Sequence, residues 1–272
     1  MHQLVNQDNL DFLNKIKFRV DDYYSILDEI QLETKENIVF DKDISALDNV
    51  KNIVRQRVDI YYSDKELLSG YYIYNKIYVN NNLSESQQIV TLIHEFTHHV
   101  YAEIFEKWLQ RIFSDVNSIV IKSFVMFMLN NSIENRVADE YLSYIVESRF
   151  TPSKYHNFIS FIQLLIDLNI DVDSSKGYFI FAHDVSHDID DVFRSVFNEE
   201  LCAMIENQFI VDNINPFNQK LTFDYSDEHY NDQEKVEIIQ EMICFIFDFF
   251  INGEGDISDL DNYVTEFEKS LE

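Results

Sequence analysis

The sequence is poor in the residues that interrupt regular structure. Four glycines and two prolines in 272 residues are too few turn formers for a β-rich chain of many hairpins, so long helices joined by polar, Asn- and Asp-rich connections are expected. Cysteine is scarce as well. Cys202 and Cys244, the only two, both lie in apolar surroundings, which excludes a disulfide framework and predicts a reduced, cytoplasmic protein. No basic segment followed by an apolar stretch opens the chain. The most apolar runs, Ile119 to Leu129 and Ile243 to Ile251, fall well short of the roughly 20 residues that cross a bilayer. Neither a signal segment nor a membrane span is expected. Basic residues are also few: 21 Lys and Arg stand against 49 Asp and Glu, a formal charge of -28. Such a surface repels a phosphate backbone or an anionic lipid head, which argues against nucleic acid and membrane as partners.

What is present can build a core. Hydrophobic residues make up 46% of the chain and aromatic residues 15%, a composition for a globular fold. No internal repeat or low-complexity segment is visible, although acidic residues crowd toward the end: Leu221 to Glu272 carries 15 acids and two bases. Apolar residues between Asp8 and Leu32 recur at a mainly helical spacing, and residues 46 to 57 hold a further helix. Val58 to Tyr62 is short and β-branched or aromatic. Gly70 to Asn80 (GYYIYNKIYVN) alternates large residues around Asn75-Lys76, which predicts a hairpin or two short strands. Ser84, with Gln87 three residues on, forms a capping signature for a helix running through Val90, Ile93 and Val100 toward Leu109. Val236 to Ile251 is apolar nearly all round and is expected as a core helix or one that packs on a partner.

The chemistry lies on the helix that Ser84 opens. His94-Glu95-Phe96-Thr97-His98 matches HExxH. Two histidines four apart project from the same face of an α-helix, so both imidazoles can bind one Zn²⁺ while Glu95 addresses the water at the open coordination position. His99 points about 100° away from His98 and is expected to face a neighbouring element or solvent. A catalytic zinc takes three protein ligands, so one more must come from elsewhere. The choice is Glu134, which opens the helical segment Glu134-Asn135-Arg136-Val137-Ala138-Asp139-Glu140-Tyr141-Leu142, where small Ala138 lets two helices approach closely. A capping role in the first turn of that helix competes for Glu134. Glu140 is the rival ligand, with Asp139 and Glu147 behind it.

Two stretches carry a family resemblance: GYYIYNKIYVNNNLSESQQIVTLIHEFTHHVY from Gly70 to Tyr101, and ENRVADEYLSYIV from Glu134. Together they resemble the ImmA/IrrE-like metallopeptidases, in which an edge strand, a polar turn and an HExxH helix follow in this order and a later helix supplies a glutamate ligand just before an Ala. The resemblance covers about Gly70 to Pro152. It departs from the family in that Glu134 stands four residues before Ala138 where relatives have three or one, which keeps Glu140 in play, and in that a Leu-Leu-Met-Pro ending is missing. The resemblance implies a zinc-dependent endopeptidase of the gluzincin type, with His94, His98 and Glu134 as ligands, whose relatives often cleave a regulatory protein. Neither a basic recognition helix nor a sensor motif accompanies it here.

In such a site Glu95 is the general base, taking a proton from water and passing it to the leaving amine. A donor to the developing oxyanion is needed, and His183, His187 and Tyr178 are the candidates. The strand at Ile73 to Val79 is a candidate to pair with an extended substrate. In Phe181 to Asp191 (FAHDVSHDIDD), His183 and His187 are again four apart with Asp184, Asp188, Asp190 and Asp191 nearby. A second metal site there competes with a solvated acidic helix end. His156 and His229 have no partner visible in the sequence. The expected fold is α+β and mainly helical: a zincin-like core over residues 1 to 150, with a small β-sheet before the HExxH helix, and a helical acidic region over 151 to 272 that either continues the core or extends it. The leading function is a zinc metallopeptidase acting on an intracellular protein or peptide substrate, with basic segments favoured by the acidic surface. The alternative is a non-catalytic acidic interaction protein on a zinc-stabilised scaffold.

Overall fold

A computed structural model describes residues 3–36, 38–64, 69–217, 219–221 and 223–271. The chain is mainly helical with one small sheet. Its α-helices are α1 (Gln7–Leu13), α2 (Val20–Lys35), α3 (Ala46–Val54), α4 (Glu85–Ile112), α5 (Ser118–Asn131), α6 (Ile133–Phe150), α7 (Ile159–Asp167), α8 (Lys176–Arg194), α9 (Glu199–Val211), α10 (Asp232–Ile251) and α11 (Ile257–Ser270). The strands are β1 (Asp59–Ser63), β2 (Gly70–Ile73) and β3 (Lys76–Asn80), in the order β1-β3-β2. Among the described residues, no helix is long and apolar enough to cross a membrane.

Local chemistry sets the helix ends. Ser84 caps α4 in a capping box, its side chain accepting from Gln87 N–H while the Gln87 side chain accepts from Ser84 N–H. The same device recurs at α10 with Asn231 and Glu234, and each such cap satisfies two orphaned helix N–H groups. The helical spacing between Asp8 and Leu32 resolves into two helices rather than one. The break at residues 14 to 19 is held by Gln240 of α10, whose amide donates to the carbonyls of Leu13 and Ile16 and accepts from Phe18 N–H. Hydrophobic period alone does not register such a break, because Ile16 and Phe18 within it still pack inward.

The hairpin predicted at Gly70 to Asn80 forms around Tyr74 and Asn75, both with positive φ, 50° and 58°. Two successive left-handed residues are the signature of the tight turn whose twist suits antiparallel strands. β3 lies in the middle of the sheet, antiparallel to β2 and parallel to β1. The expectation that Ile73 to Val79 offers a free edge to a substrate is therefore corrected: β3 is paired on both sides, and the edges are β1 and β2. Gly70 begins β2 where it crosses α4. A Cβ at that position would fall 2.4 Å from Thr91 Cγ2 and 2.7 Å from Tyr78 O, so only glycine allows this approach of strand to helix.

α4 is the central helix of the fold. It is buried on nearly every side from Ile89 to Leu109, packed by α2, α3, α5, α6, α9 and the sheet. α6 and α8, which stand on either side of residue 150, pack on one another and belong to one continuous core. Trp108, Phe105 and Leu109 anchor the C-terminal half of α4 in that core, as expected. α10 buries Ile239, Ile243 and Phe247 and exposes a face made of Glu237, Glu241, Phe245 and Asp248, so it is a core helix with one open side.

Candidate metal centre

The HExxH histidines lie where α4 crosses α6. Their side chains share one face of α4, with rings 4.8 Å apart. The facing stripe of α6 presents Glu140, Ser143, Tyr144 and Glu147, spaced at i, i+3, i+4 and i+7 and so on one side of that helix. Ala138 is fully buried, but at about 100° per residue it lies roughly 160° around α6 from Glu140, so it is not the small residue at the face turned to α4. His94 Nε2 lies 3.6 Å from Glu140 Oε2. Metal-ligating atoms of His94, His98 and Glu140 all lie within 4.8 Å of one another.

Each histidine is oriented by a carboxylate on its other nitrogen. His94 Nδ1 meets Glu147 Oε2 at 3.1 Å. His98 Nδ1 meets Asp139 Oδ1 at 2.8 Å and Ser143 Oγ at 3.2 Å. Both Nε2 atoms are thereby left for a ligand, the arrangement in which outer carboxylates fix the tautomer and ring orientation of metal-binding histidines. The donor set fits zinc: two imidazole nitrogens and one carboxylate, with the 3.6 Å separation of His94 Nε2 and Glu140 Oε2 close to the roughly 3.3 Å between neighbouring ligands of a tetrahedral ion at about 2.0–2.1 Å.

The predicted third ligand Glu134 is not in this group. Six residues before Glu140, it sits about 9 Å lower on α6 and about 120° around it. Its carboxylate accepts from Ser132 Oγ at 3.2 Å in the first turn. There it helps line a cleft of about 430 Å³ with Tyr178, Glu241, Phe245 and Asp248. Helical phase instead brings Glu140, the rival named from the sequence, beside the two histidines. Asp139 and Glu147, weighed as further candidates, stand behind the histidines instead.

The electrostatics follow from this packing. Burial works against a charged His94, yet its hydrogen-bonded neighbours Glu140 and Glu147 outweigh burial and hold it well above its ordinary pKa. Burial likewise opposes charge on His98, and Asp139 lifts it to about 8. Burial raises Glu140 in turn, but the bond to His94 carries it down to about 2, so it is an anionic donor at neutral pH. Asp139 is raised by its own burial more than His98 lowers it, so the two compete for one proton. A zinc ion held here would need neutral imidazoles, so its binding would displace protons from this cluster.

Glu95 is 7% exposed, and its carboxyl is raised, first by burial and against the pull of His94 and His98. Its Cγ lies beside the start of β2, 3.5 Å from the position a Gly70 Cβ would take. A buried carboxyl pushed toward neutrality beside two imidazoles is suited to accept and return a proton. Tyr144, absent from the sequence reading, stacks edge-on to His94 at 4.5 Å between centroids. Its phenol is raised by burial first and then by Glu147 and Glu140. Its signal in the sequence is its place four residues after Glu140, on the same helical stripe.

His99 is buried and faces β2, with Nδ1 3.2 Å from Tyr72 Oη, and Glu103 Oε2 lies 3.7 Å from its Nε2. The three residues considered for the oxyanion lie elsewhere. His183 neighbours His187 and His229, and Tyr178 lines the cleft with Glu134. His156 Nε2 meets the Thr151 carbonyl at 3.0 Å. Cys202 and Cys244 are free and half-buried, and burial pushes the Cys244 thiol up to about 11, an inert thiol at neutral pH. No family model matches the chain, and no curated protein or solved structure does so either.

Proposed function

We propose that the chain is a zinc-dependent metallopeptidase of the kind that the ImmA/IrrE-like resemblance implies, acting in the cytoplasm on a protein or peptide substrate. One observation carries the reading: His94, His98 and Glu140 converge, each histidine oriented by its own carboxylate, with Glu95 of the same HExxH turn beside them. A scaffold that used zinc only for stability has no need of an acid at the second position of the motif.

When bound at this triad, zinc supplies Lewis acidity toward a carbonyl oxygen and lowers the pKa of water to about 7. His94, His98 and Glu140 hold the ion, while Asp139 and Glu147 fix the rings that present it. Glu95 takes the proton of the attacking water on its carboxylate and returns it to the departing amine nitrogen. Its raised pKa brings it nearer to the neutral range, where both transfers are balanced. Tyr144, whose ring meets His94 edge-on from the helix that carries Glu140, is the residue assigned to donate its hydroxyl to developing negative charge beside His94. An extended substrate has β2, the edge strand next to α4, available for main-chain pairing.

The test is cleavage of a mixed peptide pool by the zinc-loaded protein, read by mass spectrometry with and without o-phenanthroline. Chelator-sensitive cleavage is expected, with Glu95→Gln keeping zinc and losing at least about 10²-fold in rate. Cleavage that survives Glu95→Gln, or a zinc-loaded protein that cleaves nothing in the pool or in a cytoplasmic extract, overturns the proposal.

A further inference from the structure

A second set of metal-binding side chains lies away from the HExxH helix. His183 and Asp184 are on α8, and His229 is on the connection that leads into α10. Metal-ligating atoms of these three residues all lie within 4.8 Å of one another. His229 Nδ1 is 2.8 Å from Asp184 Oδ1, and Asp184 Oδ2 accepts the backbone N–H of Tyr230 at 2.7 Å. The 2.8 Å bond is shorter than the roughly 3.3 Å spacing of neighbouring ligands on a tetrahedral ion, so binding requires only a small outward movement of an exposed side chain.

His183 Nδ1 supplies an independent sign. It is buried and has no hydrogen-bond partner, which is costly for an imidazole nitrogen and is relieved by a cation or an unseen donor. Asp184 is buried and His229 exposed, so the group runs from the core to the surface and gives an ion a path inward. The pair read from the sequence, His183 and His187, is thus replaced by a trio that includes a residue 45 positions beyond Asp184.

We propose that His183, Asp184 and His229 bind a second divalent ion of the zinc class, which clips residues 223–231 onto α8. Two imidazoles and a carboxylate suit zinc and its borderline neighbours in the first transition row rather than magnesium or calcium, which prefer oxygen donors throughout. The site needs nothing from the HExxH centre and stands whether or not that centre is catalytic.

The experiment is a zinc titration of the full chain stripped with chelator, with bound metal counted by mass spectrometry after gel filtration. Wild type is expected to hold two zinc ions, His94→Gln/His98→Gln one, and His183→Gln/His229→Gln one. A His94→Gln/His98→Gln protein that holds no zinc overturns the proposal. Zinc that stays in that variant and leaves when His183→Gln is added supports it, even if the HExxH triad proves unable to bind metal. Should the His183→Gln/His229→Gln protein fail to fold, an anomalous difference map at the zinc edge from zinc-soaked wild-type crystals decides. A peak between α8 and His229 supports the second site, and its absence overturns it.

Discussion

Exchanging the two candidate glutamates of α6 for glutamine separates the proposed ligand from its sequence-predicted competitor. Glu140→Gln preserves size and removes the anionic donor 3.6 Å from His94 Nε2. Losing only an orienting partner costs a metal site about 10- to 100-fold in affinity. Losing a donor must cost more, so Glu140→Gln is expected to weaken zinc by more than about 100-fold, or about 2.7 kcal/mol. Asp139→Asn and Glu147→Gln, which reach only the Nδ1 atoms at 2.8 Å and 3.1 Å, belong in the window of about 10- to 100-fold. Glu134→Gln, whose carboxylate meets Ser132 rather than a histidine, leaves affinity unchanged. Competition between stripped protein and a chromophoric chelator at pH 7.5 measures all four, with circular dichroism as the check on folding. A loss confined to Glu134→Gln, or equal losses in the Glu134 and Glu140 variants, refutes the assignment.

Gly70→Ala forces a Cβ to 2.4 Å from Thr91 and 2.7 Å from the Tyr78 carbonyl and should cost about 1–3 kcal/mol in urea unfolding; a wild-type midpoint would show that β2 does not sit this close to α4. Burial lifts the Glu106 carboxyl from 4.5 to about 7, against the pull of Lys122. The folded chain therefore keeps a proton that the unfolded chain releases near pH 4.5, so this group's contribution to stability declines from there up to about pH 7 and is lost above it. Glu106→Gln should remove a decline on the order of 3 kcal/mol between pH 5 and pH 8, and parallel stability curves for variant and wild type would contradict it. Gln240→Ala strips three hydrogen bonds from the break between α1 and α2 and should cost about 1–3 kcal/mol; an unchanged urea midpoint would mean that water replaces the amide there.

What could be read from the sequence was whatever depends on neighbours along the chain. The cap at Ser84, the hairpin over Gly70 to Asn80, with its turn one residue earlier than the Asn75-Lys76 pair suggested, and the shared face of His94 and His98 are local, and each is fixed within a few residues. The third donor was half legible. Choosing between Glu134 and Glu140 requires the rotation of α6 against α4, and that is set by the packing of both helices in the core. The break before α2 depends on Gln240, more than 220 residues away, and the pairing of His229 with Asp184 spans 45 residues. The order of the strands belongs to the same class, because β3 becomes central only when β1 returns to lie parallel to it.

The one tryptophan gives the molecule a built-in optical reporter. Trp108 is 3% exposed, stacked on Phe18 at 4.6 Å and close to Tyr23 at 6.0 Å. Its emission therefore reports on the seam where the start of the chain docks against α4, blue-shifted while that seam is closed and red-shifted once water enters. Ten residues beyond His98 it stands about 15 Å along the helix from the metal donors. The indole is thus blind to the ion itself, and in a His183→Gln/His229→Gln chain any change in its fluorescence on adding zinc measures how far tightening at His94 and His98 is felt along α4.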